Sequence, residues 1–342
     1  MENEKTSSLN YFIIFLLSYS FYTIQVLSQQ LFYMYSKFAT PIICLFYLIF
    51  PLTVFLVCKL INKNKLKADI KNNFIYSLSS SLYLIITSLL SLITITNIIL
   101  LYYYQQVSII ILLIFLMLPI VYTIIKGEKN FFALAAILLI IFVAFKYSYL
   151  GNSTPIDFYP FSNILNIKKN TIFPIIIVSL PILIEPLLLL TNHNKMSSKV
   201  NTKWMVIFAI SLSLVGILTT LRQTWEFGDL LDRIRFPYLE SAKNIIAGKF
   251  FENIDYYYLL SLSISVYVRL GYTVISIKES YNLNKIKTLL LLLVISVAIY
   301  FLHNNMSFYS YSLDKLLITS SICLIICALL LPFMIKRRKK NV

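Results

Sequence analysis

The sequence has little charge, little histidine and little cysteine, and each shortage argues against a class of protein. Charged residues make up 13% of the 342-residue chain, whereas about a quarter of a soluble domain is charged. The cysteines fall in apolar runs, where a thiol stays protonated, and few histidines are available as further metal ligands. These residues are Cys44, Cys58, Cys323, Cys327, His193 and His303. We therefore expect packing thiols, no metal site and no cofactor.

Glycine is also scarce, with six residues. No glycine-rich phosphate loop, dinucleotide fingerprint or Ser-His-Asp arrangement occurs. The net charge of +16 comes from short basic runs beside apolar segments, which is typical of attraction to anionic lipid head groups. We expect membrane lipids as partners and no nucleic acid.

Apolar and aromatic residues are abundant instead. Hydrophobic residues form 59% of the chain, with 25 Phe and 25 Tyr, and the mean hydropathy is +0.80. A membrane-spanning helix needs about 20 mostly apolar residues, and the runs here are too long and continuous for barrel strands. The pattern predicts an all-α integral membrane protein with about ten transmembrane helices. The predicted spans are 10–32, 39–60, 75–101, 106–125, 131–150, 171–191, 204–221, 256–277, 288–302 and 315–335.

The distribution of Lys and Arg predicts that both termini are cytoplasmic. With the N-terminus inside, the cytoplasmic segments hold 19 of the 30 basic residues, including the terminal KRRKK, and the opposite face holds ten. Cytoplasmic loops are enriched in Lys and Arg. The Tyr triplets at 102–104 and 256–258 then both fall at the outer interface, where aromatic belts occur. No small-residue cleavage site follows a short apolar core near the N-terminus, so we expect the first span to remain in the membrane.

One charged stretch interrupts the apolar chain. We predict a single polytopic membrane domain over 1–342, in which residues 222–255 form an extracytoplasmic connector. Pro237 suits the first turn of a helix and Gly248 its end, with apolar residues at helical spacing between them. The connector is therefore expected to contain an amphipathic helix that lies on the membrane surface or caps the bundle. Its acidic and arginine residues form a solvated network or recognise an anionic partner.

The connector and the sixth span resemble a known family. The matching connector residues are Pro237, Ile245, Gly248, Phe250, Phe251, Glu252 and Asp255, and the sixth span carries FPIIIVSLPILIEPLLLL. Both are similar to the spore germination permeases, the B subunits of germinant receptors, which belong to the amino acid, polyamine and organocation transporter superfamily. The resemblance implies a transporter-like bundle of inverted repeats. Asn253 departs from the family's usual Arg, and the first span lacks the glycine-containing break of many members.

Glu185 and Arg269 stand out among the few ionisable residues inside predicted spans. Charges are costly in hydrocarbon, so such residues are candidates for function. At about 1.5 Å per residue, both lie roughly 5 Å to the cytoplasmic side of the midplane. Their shared depth and opposite charge favour an ion pair or a common polar cavity. The pair would be a static link between two helices, or would take part in coupling or ligand sensing.

The resemblance also places a small-ligand site between spans one and six. Three prolines in span six, Pro174, Pro181 and Pro186, tend to break the helix, and broken helices expose backbone groups to substrate in inverted-repeat transporters. By resemblance, the residues expected to contact the ligand are Tyr19, Thr23, Ser179 and Glu185. Alternatively, hydroxyl groups in spans hydrogen-bond their own helix, and those of the Ser- and Thr-rich third span are explained by close packing.

Three functions from different classes remain open. The resemblance implies a membrane subunit that binds a small nutrient germinant, with an amino acid expected, and triggers spore germination. Its implied partners are a larger A subunit and a C-subunit lipoprotein in the spore inner membrane. The second possibility is a secondary amino acid transporter. The third is a membrane enzyme similar to polysaccharide polymerases, whose chemistry would use connector residues such as Arg222, Asp232 and Arg233.

Overall fold

The computed structural model describes residues 8–62, 73–103, 106–126, 131, 169–195, 200–243 and 254–334. These residues are almost entirely helical. In chain order the α-helices are α1 (Ser8–Ser20), α2 (Ser28–Tyr35), α3 (Thr40–Asn62), α4 (Phe74–Ile98), α5 (Ile109–Lys126), α6 (Lys169–Ile184), α7 (Thr202–Phe227), α8 (Pro237–Lys243), α9 (Ile254–Tyr281), α10 (Lys285–Asn304) and α11 (Met306–Met334). The multi-pass helical membrane protein that the sequence predicts is confirmed.

Eight helical stretches in the described part of the chain are long and apolar enough to cross a membrane. The first of them, Leu9–Asn62, has 54 residues and would be about 80 Å long if straight, far more than a bilayer core of about 30 Å. The chain folds back within it, because the rings of Tyr19 and Phe50 stack with centroids 4.3 Å apart. Ser36, with φ at 53°, lies at the turn.

Because the first stretch holds two predicted spans, nine of the ten predicted spans coincide with described helices. Apart from Phe131, the predicted fifth span at 131–150 lies outside the described residues. So do both chain ends, most of the family-like connector residues, and the side chains of the 256–258 Tyr triplet. The total number of crossings and the sidedness of the termini stay predictions.

Three membrane helices begin with an asparagine N-cap. Asn73, Asn201 and Asn284 precede α4, α7 and α10, and each side chain accepts a hydrogen bond from a backbone N–H in the first turn. An Asn at this position supplies an acceptor to an N–H that has no partner inside the helix. In the predicted topology these helices are the third, seventh and ninth crossings, so the three caps are expected at one end of the bundle. Asn62 joins α3 to α7 at this end through the Val200 carbonyl at 2.7 Å.

Two spans change helix type part-way along their length. Residues Phe21–Leu27, between α1 and α2, form a π-helix, in which the Ser28 N–H and hydroxyl both donate to the Thr23 carbonyl. Glu185–Lys195, after α6, is a 3₁₀ helix that begins just before Pro186. Span six therefore changes at Pro186, as expected of a proline, whereas the expected breaks at Pro174 and Pro181 are absent because α6 continues through both. Span one changes without glycine or proline, which its sequence does not predict.

Helices at corresponding positions in the two predicted halves pack together. The second span, α3, lies against the seventh, α7, and the third, α4, lies against the eighth, α9. Close approach of α3 and α7 requires Gly216, because a Cβ there would meet the Tyr47 ring at 2.8 Å. This arrangement places α1, α4, α6 and α9 around a common interior.

The predicted connector is partly helical, and its first residues belong to α7. Arg222 and Glu226 lie in the last turns of that helix, 3.8 Å apart, with side chains 7% and 14% exposed. The expected solvated network is therefore wrong for these two residues, because α7 continues past the predicted end of its span. The amphipathic segment appears as α8, in which Tyr238, Leu239 and Ala242 are buried. Residues 244–253 of the connector lie outside the described residues.

Candidate functional site

Glu185 lies at the junction where span six changes from an α-helix to a 3₁₀ helix. Its carboxylate is 0% exposed and accepts hydrogen bonds at both oxygens. Oε1 accepts from the guanidinium of Arg269, and Oε2 accepts from the Tyr83 hydroxyl at 2.6 Å. A carboxylate in a low-dielectric interior stays ionised only with such partners. We call Glu185 and Arg269 the central ion pair.

Arg269 projects from α9 and joins four helices. Besides Glu185, Nη1 donates to the Ser18 hydroxyl of span one at 3.2 Å, and Nη2 donates to the Thr87 hydroxyl of span three. The residue is 0% exposed and is the largest fully buried side chain in the part of the chain that the structure describes. Spans one, three, six and eight are therefore held at one point by one guanidinium.

Two tyrosine rings complete the surroundings of this charge. The guanidinium carbon of Arg269 lies 4.8 Å from the ring centroid of Tyr22 and 5.7 Å from that of Tyr83. The rings meet edge to face at 6.2 Å. Attraction between a cation and an aromatic face is strongest where water is excluded, so both rings stabilise the charge. Tyr22 belongs to the π-helix of span one, which places its ring in this interior.

Tyr19 connects spans one and six directly. Its hydroxyl donates to the Ile182 carbonyl at 2.7 Å. Pro186 lies four residues after Ile182 and has no N–H, so that carbonyl lacks its usual helix donor. The tyrosine hydroxyl supplies the missing hydrogen bond, in a contact where both residues are buried. The proline and the tyrosine therefore act together to hold the irregular point of span six against span one.

The hydroxyl groups of two predicted ligand residues, Thr23 and Ser179, bond their own helices and not the other ligand residues. Thr23 donates to the Tyr19 carbonyl at 2.9 Å, and Ser179 donates to the Ile175 carbonyl, each within its own helix. Glu185 and Arg269 are in direct contact, and Tyr19 bridges to span six. The alternative that hydroxyls bond their own helix is the arrangement present at Thr23 and Ser179.

Three further contacts of the central ion pair were missed by sequence reasoning. They are Ser18 of span one and Tyr83 and Thr87 of span three. Tyr83, Thr87 and Ser91 follow one another at intervals of four residues along α4, and Ser80 lies three residues before Tyr83. Residues three or four apart share a helix face, so the sequence does indicate a polar face on α4. It was hidden among the other Ser and Thr residues of the span.

A second group of charges lies at the end of the bundle away from Asn62. Lys37 and Asp229 form an ion pair at 2.5 Å, in which the Asp229 side chain is 72% exposed. Glu226 accepts a hydrogen bond from Ser241 of α8. We call the Lys37–Asp229 pair the rim ion pair. The exposure of Asp229 separates this pair from the central ion pair, although the Lys37 side chain is only 10% exposed.

Metal-ligand chemistry is not indicated by these side chains. No group of three or more His, Cys, Asp or Glu residues that could hold a metal ion occurs among the described residues. The four cysteines are free, with Cys58, Cys323 and Cys327 buried and Cys44 partly buried. The arrangement instead offers a buried acid, a buried base, two aromatic faces and several hydroxyls.

Comparison with known proteins gives a family and a fold. A family model described as spore germination protein matches residues 73–309, more than half of the chain. Among solved structures, the chain is similar to a manganese transporter from Eremococcus coleocola, crystallised with an aromatic bis-isothiourea substituted compound. The TM-score is 0.55 at 13% identity, covering 95% of this chain and 77% of the transporter. At this identity the likeness shows only that the fold is similar to that of a transporter. None of the curated proteins matches the chain.

Proposed function

Because the chain belongs to the spore germination protein family, we propose that it is the membrane subunit of a nutrient germinant receptor. In this function it binds a small germinant, with an amino acid expected, and triggers germination from the spore inner membrane. Its proposed partners are a larger A subunit and a C-subunit lipoprotein. The proposed orientation places the rim ion pair outside and the Asn62 end in the cytoplasm.

The observation that carries this proposal is the central ion pair inside a transporter fold. Glu185 and Arg269 are 0% exposed and link span six with spans one, three and eight. A ligand changes the conformation of a protein only by binding one state more tightly than another. A ligand that competes for these charges would favour a bundle in which the four spans separate. Such a change can be transmitted to a bound partner subunit.

Gene deletion and complementation test the proposal. A strain lacking the gene should sporulate normally and respond to non-nutrient triggers, but should fail to germinate with one class of nutrient. The wild-type gene should restore germination, and so should a Lys37→Gln, Asp229→Asn variant, which removes the rim ion pair and leaves the central ion pair in place. A Glu185→Gln, Arg269→Gln variant of normal abundance should not. Normal germination of the deletion strain with every nutrient, in a strain without paralogous receptors, would refute the proposal.

A secondary amino acid transporter is the second candidate, and the similarity of fold to a transporter favours it. The two functions differ in whether solute crosses the membrane. Counterflow uptake of labelled amino acids into proteoliposomes that contain the purified chain separates them. Uptake above that of empty liposomes would support transport. Binding without uptake would support the receptor.

A further inference from the structure

A cavity of about 350 Å³ lies between α3, the irregular point of span six, and α11. Lys59 and Leu331 both line it, three residues before α3 ends at Asn62 and three before α11 ends at Met334. The cavity therefore lies near one surface of the membrane. Leu56, another lining residue, is 50% exposed, so the cavity opens toward the surrounding lipid. We call it the Lys59 cavity.

Lys59 is the one charged residue that lines this cavity. Thr53 is the other polar lining residue, and its hydroxyl donates to the Phe50 carbonyl of its own helix at 2.8 Å. In the part of the chain that the structure describes, Lys59 forms no salt bridge. Its Nζ lies 5.7 Å from the ring centroid of Phe55. The cavity thus combines apolar walls with a cation that no described carboxylate neutralises.

The sequence that follows both helices is basic as well. Four lysines and one acid, Asp69, occur between residues 63 and 71, and KRRKK occupies 336–340. Basic residues beside a span attract anionic lipid head groups, each by a factor of about five in binding. Anionic lipids are therefore enriched at the end of the bundle where Lys59 lies.

A second cavity provides a comparison without charge. It has a volume of about 300 Å³, lies between α5 and α10, and also opens toward lipid, since Tyr300 is 41% exposed. We call it the uncharged cavity. Its lining contains no charged residue and includes Ile110, Leu113, Met117, Ser296 and Tyr300. Either cavity can accept an acyl chain, but of the two only the Lys59 cavity can distinguish one head group from another by charge.

We propose that the Lys59 cavity binds one anionic phospholipid, whose phosphate pairs with Lys59 and whose acyl chain fills the apolar part. Leu183, Ile184 and Leu187 form one wall of the cavity, and they lie on both sides of Glu185 in the sequence. The acyl chain therefore packs against the segment that carries the central ion pair. Lipid binding at this site does not depend on the receptor function proposed above.

Photolabelling in proteoliposomes tests the site. The purified chain is reconstituted into phosphatidylcholine vesicles that contain a small fraction of phosphatidylglycerol or phosphatidylcholine with a diazirine in one acyl chain. Peptide mass spectrometry then locates the crosslinked residues. The ratio of phosphatidylglycerol labelling to phosphatidylcholine labelling should be about fivefold higher in the Lys59 cavity than in the uncharged cavity, because one Lys contributes about that factor. Both cavities are measured in the same wild-type protein, so the comparison is independent of folding defects.

Variants assign the preference to this cavity. Lys59→Gln should make the labelling ratios of the two cavities equal. Lys287→Gln removes the same charge from an exposed residue of α10 that does not line the cavity, and it should keep the wild-type ratio. Ala328→Phe places a ring in the Lys59 cavity and should abolish its labelling by both probes. Leu329→Phe, at a neighbouring position that is 67% exposed, should not.

Three results would overturn the inference. They are equal ratios in the two cavities of the wild type, an unchanged preference in Lys59→Gln, and the same loss of preference in Lys287→Gln as in Lys59→Gln. The last of these would mean that the basic residues attract anionic lipid only through their summed charge. Each result would leave the receptor function standing, since germination by nutrients is measured separately.

Discussion

At the scale of single residues, the burial of Glu185 and Arg269 sets their energetics. Removing an ion from water costs several kcal/mol even after a protein relaxes, and both side chains are 0% exposed. Their mutual contact and the hydroxyls of Ser18, Tyr83 and Thr87 offset that cost. Neither member of the pair is therefore stable without the other. The rim ion pair differs, because Asp229 remains largely in contact with solvent.

Glu185→Gln should destabilise the protein by about 3–5 kcal/mol, because it leaves Arg269 as an unpaired buried charge. The double change Glu185→Gln, Arg269→Gln should be less damaging than Glu185→Gln alone, since no buried charge remains. Thermal unfolding of the purified protein in detergent measures both. Asp229→Asn is the control and should cost clearly less than Glu185→Gln, because the Asp229 side chain is 72% exposed. Equal losses for Glu185→Gln and Asp229→Asn would contradict the assignment of burial as the cause.

At the scale of helices, the irregular segments of spans one and six stabilise each other. Pro186 leaves the Ile182 carbonyl without a helix donor, and the Tyr19 hydroxyl replaces it. Stacking of Tyr19 on Phe50 fixes the ring that carries this hydroxyl. The two spans are thus joined at the point where their backbone hydrogen bonding changes. Movement of span six requires this contact to break.

The coupling between Tyr19 and Pro186 can be measured with a double-mutant cycle. Tyr19→Phe should cost about 1–3 kcal/mol, because it leaves a buried carbonyl without a donor. In a Pro186→Ala background the new backbone N–H at this position becomes available to the Ile182 carbonyl, so the same change should cost clearly less. Thermal unfolding of the four proteins gives the interaction energy. Additive losses of stability would show that the contribution of the Tyr19 hydrogen bond does not depend on Pro186.

Packing of α3 against α7 gives a second prediction at this scale. Gly216→Ala should destabilise the protein by about 1–3 kcal/mol, because the added methyl group meets the Tyr47 ring at 2.8 Å. Tyr47→Leu in the same chain should recover part of the loss by removing the ring. The matched control is Ser211→Ala, a change on the exposed face of the same helix, where the side chain bonds only its own backbone. If Gly216→Ala leaves the free energy of unfolding unchanged, the two helices can move apart without loss of stability.

At the scale of the whole molecule, the order of crossings determines which groups share a membrane face. Asn73, Asn201 and Asn284 begin the third, seventh and ninth predicted crossings and so are expected at one end, with Ser36 and Asp229 at the other. Excess Lys and Arg in the segments next to the Asn caps predict that this end is cytoplasmic. The proposed orientation therefore follows from the fold combined with the charge bias.

Site-directed labelling tests this orientation. In a chain whose four native cysteines are replaced by Ser or Ala, Asp229→Cys should react with a membrane-impermeant maleimide added outside intact cells. Asn201→Cys should react only after the cells are opened. Ser179→Cys, at a buried position within span six, is the unreactive control. The opposite pattern would reverse the predicted topology.

The sequence allowed the spans to be predicted well, because apolar length is a local property, but it revealed only part of the site. Glu185 and Arg269 were predictable because charge is rare in these helices and their depths agree. The π-helix of span one was not predictable, because the segment contains no glycine or proline. Its change of helix type instead accompanies a hydrogen bond from the Ser28 hydroxyl to the Thr23 carbonyl. Tyr83 and Thr87 were hidden in a span full of hydroxyl groups. Which hydroxyls face Arg269 depends on how α4 is rotated against α9.

On the proposed function, the closed state of the central ion pair has a consequence for dormancy. If separating these charges without a ligand costs about 4 kcal/mol, as breaking a buried pair does, about one molecule in a thousand is open at any moment. A signalling threshold set above that fraction would ignore spontaneous fluctuations of single receptors. The same arithmetic gives a low background and a large response, because an amino acid that pairs with both charges offsets most of the cost of separating them.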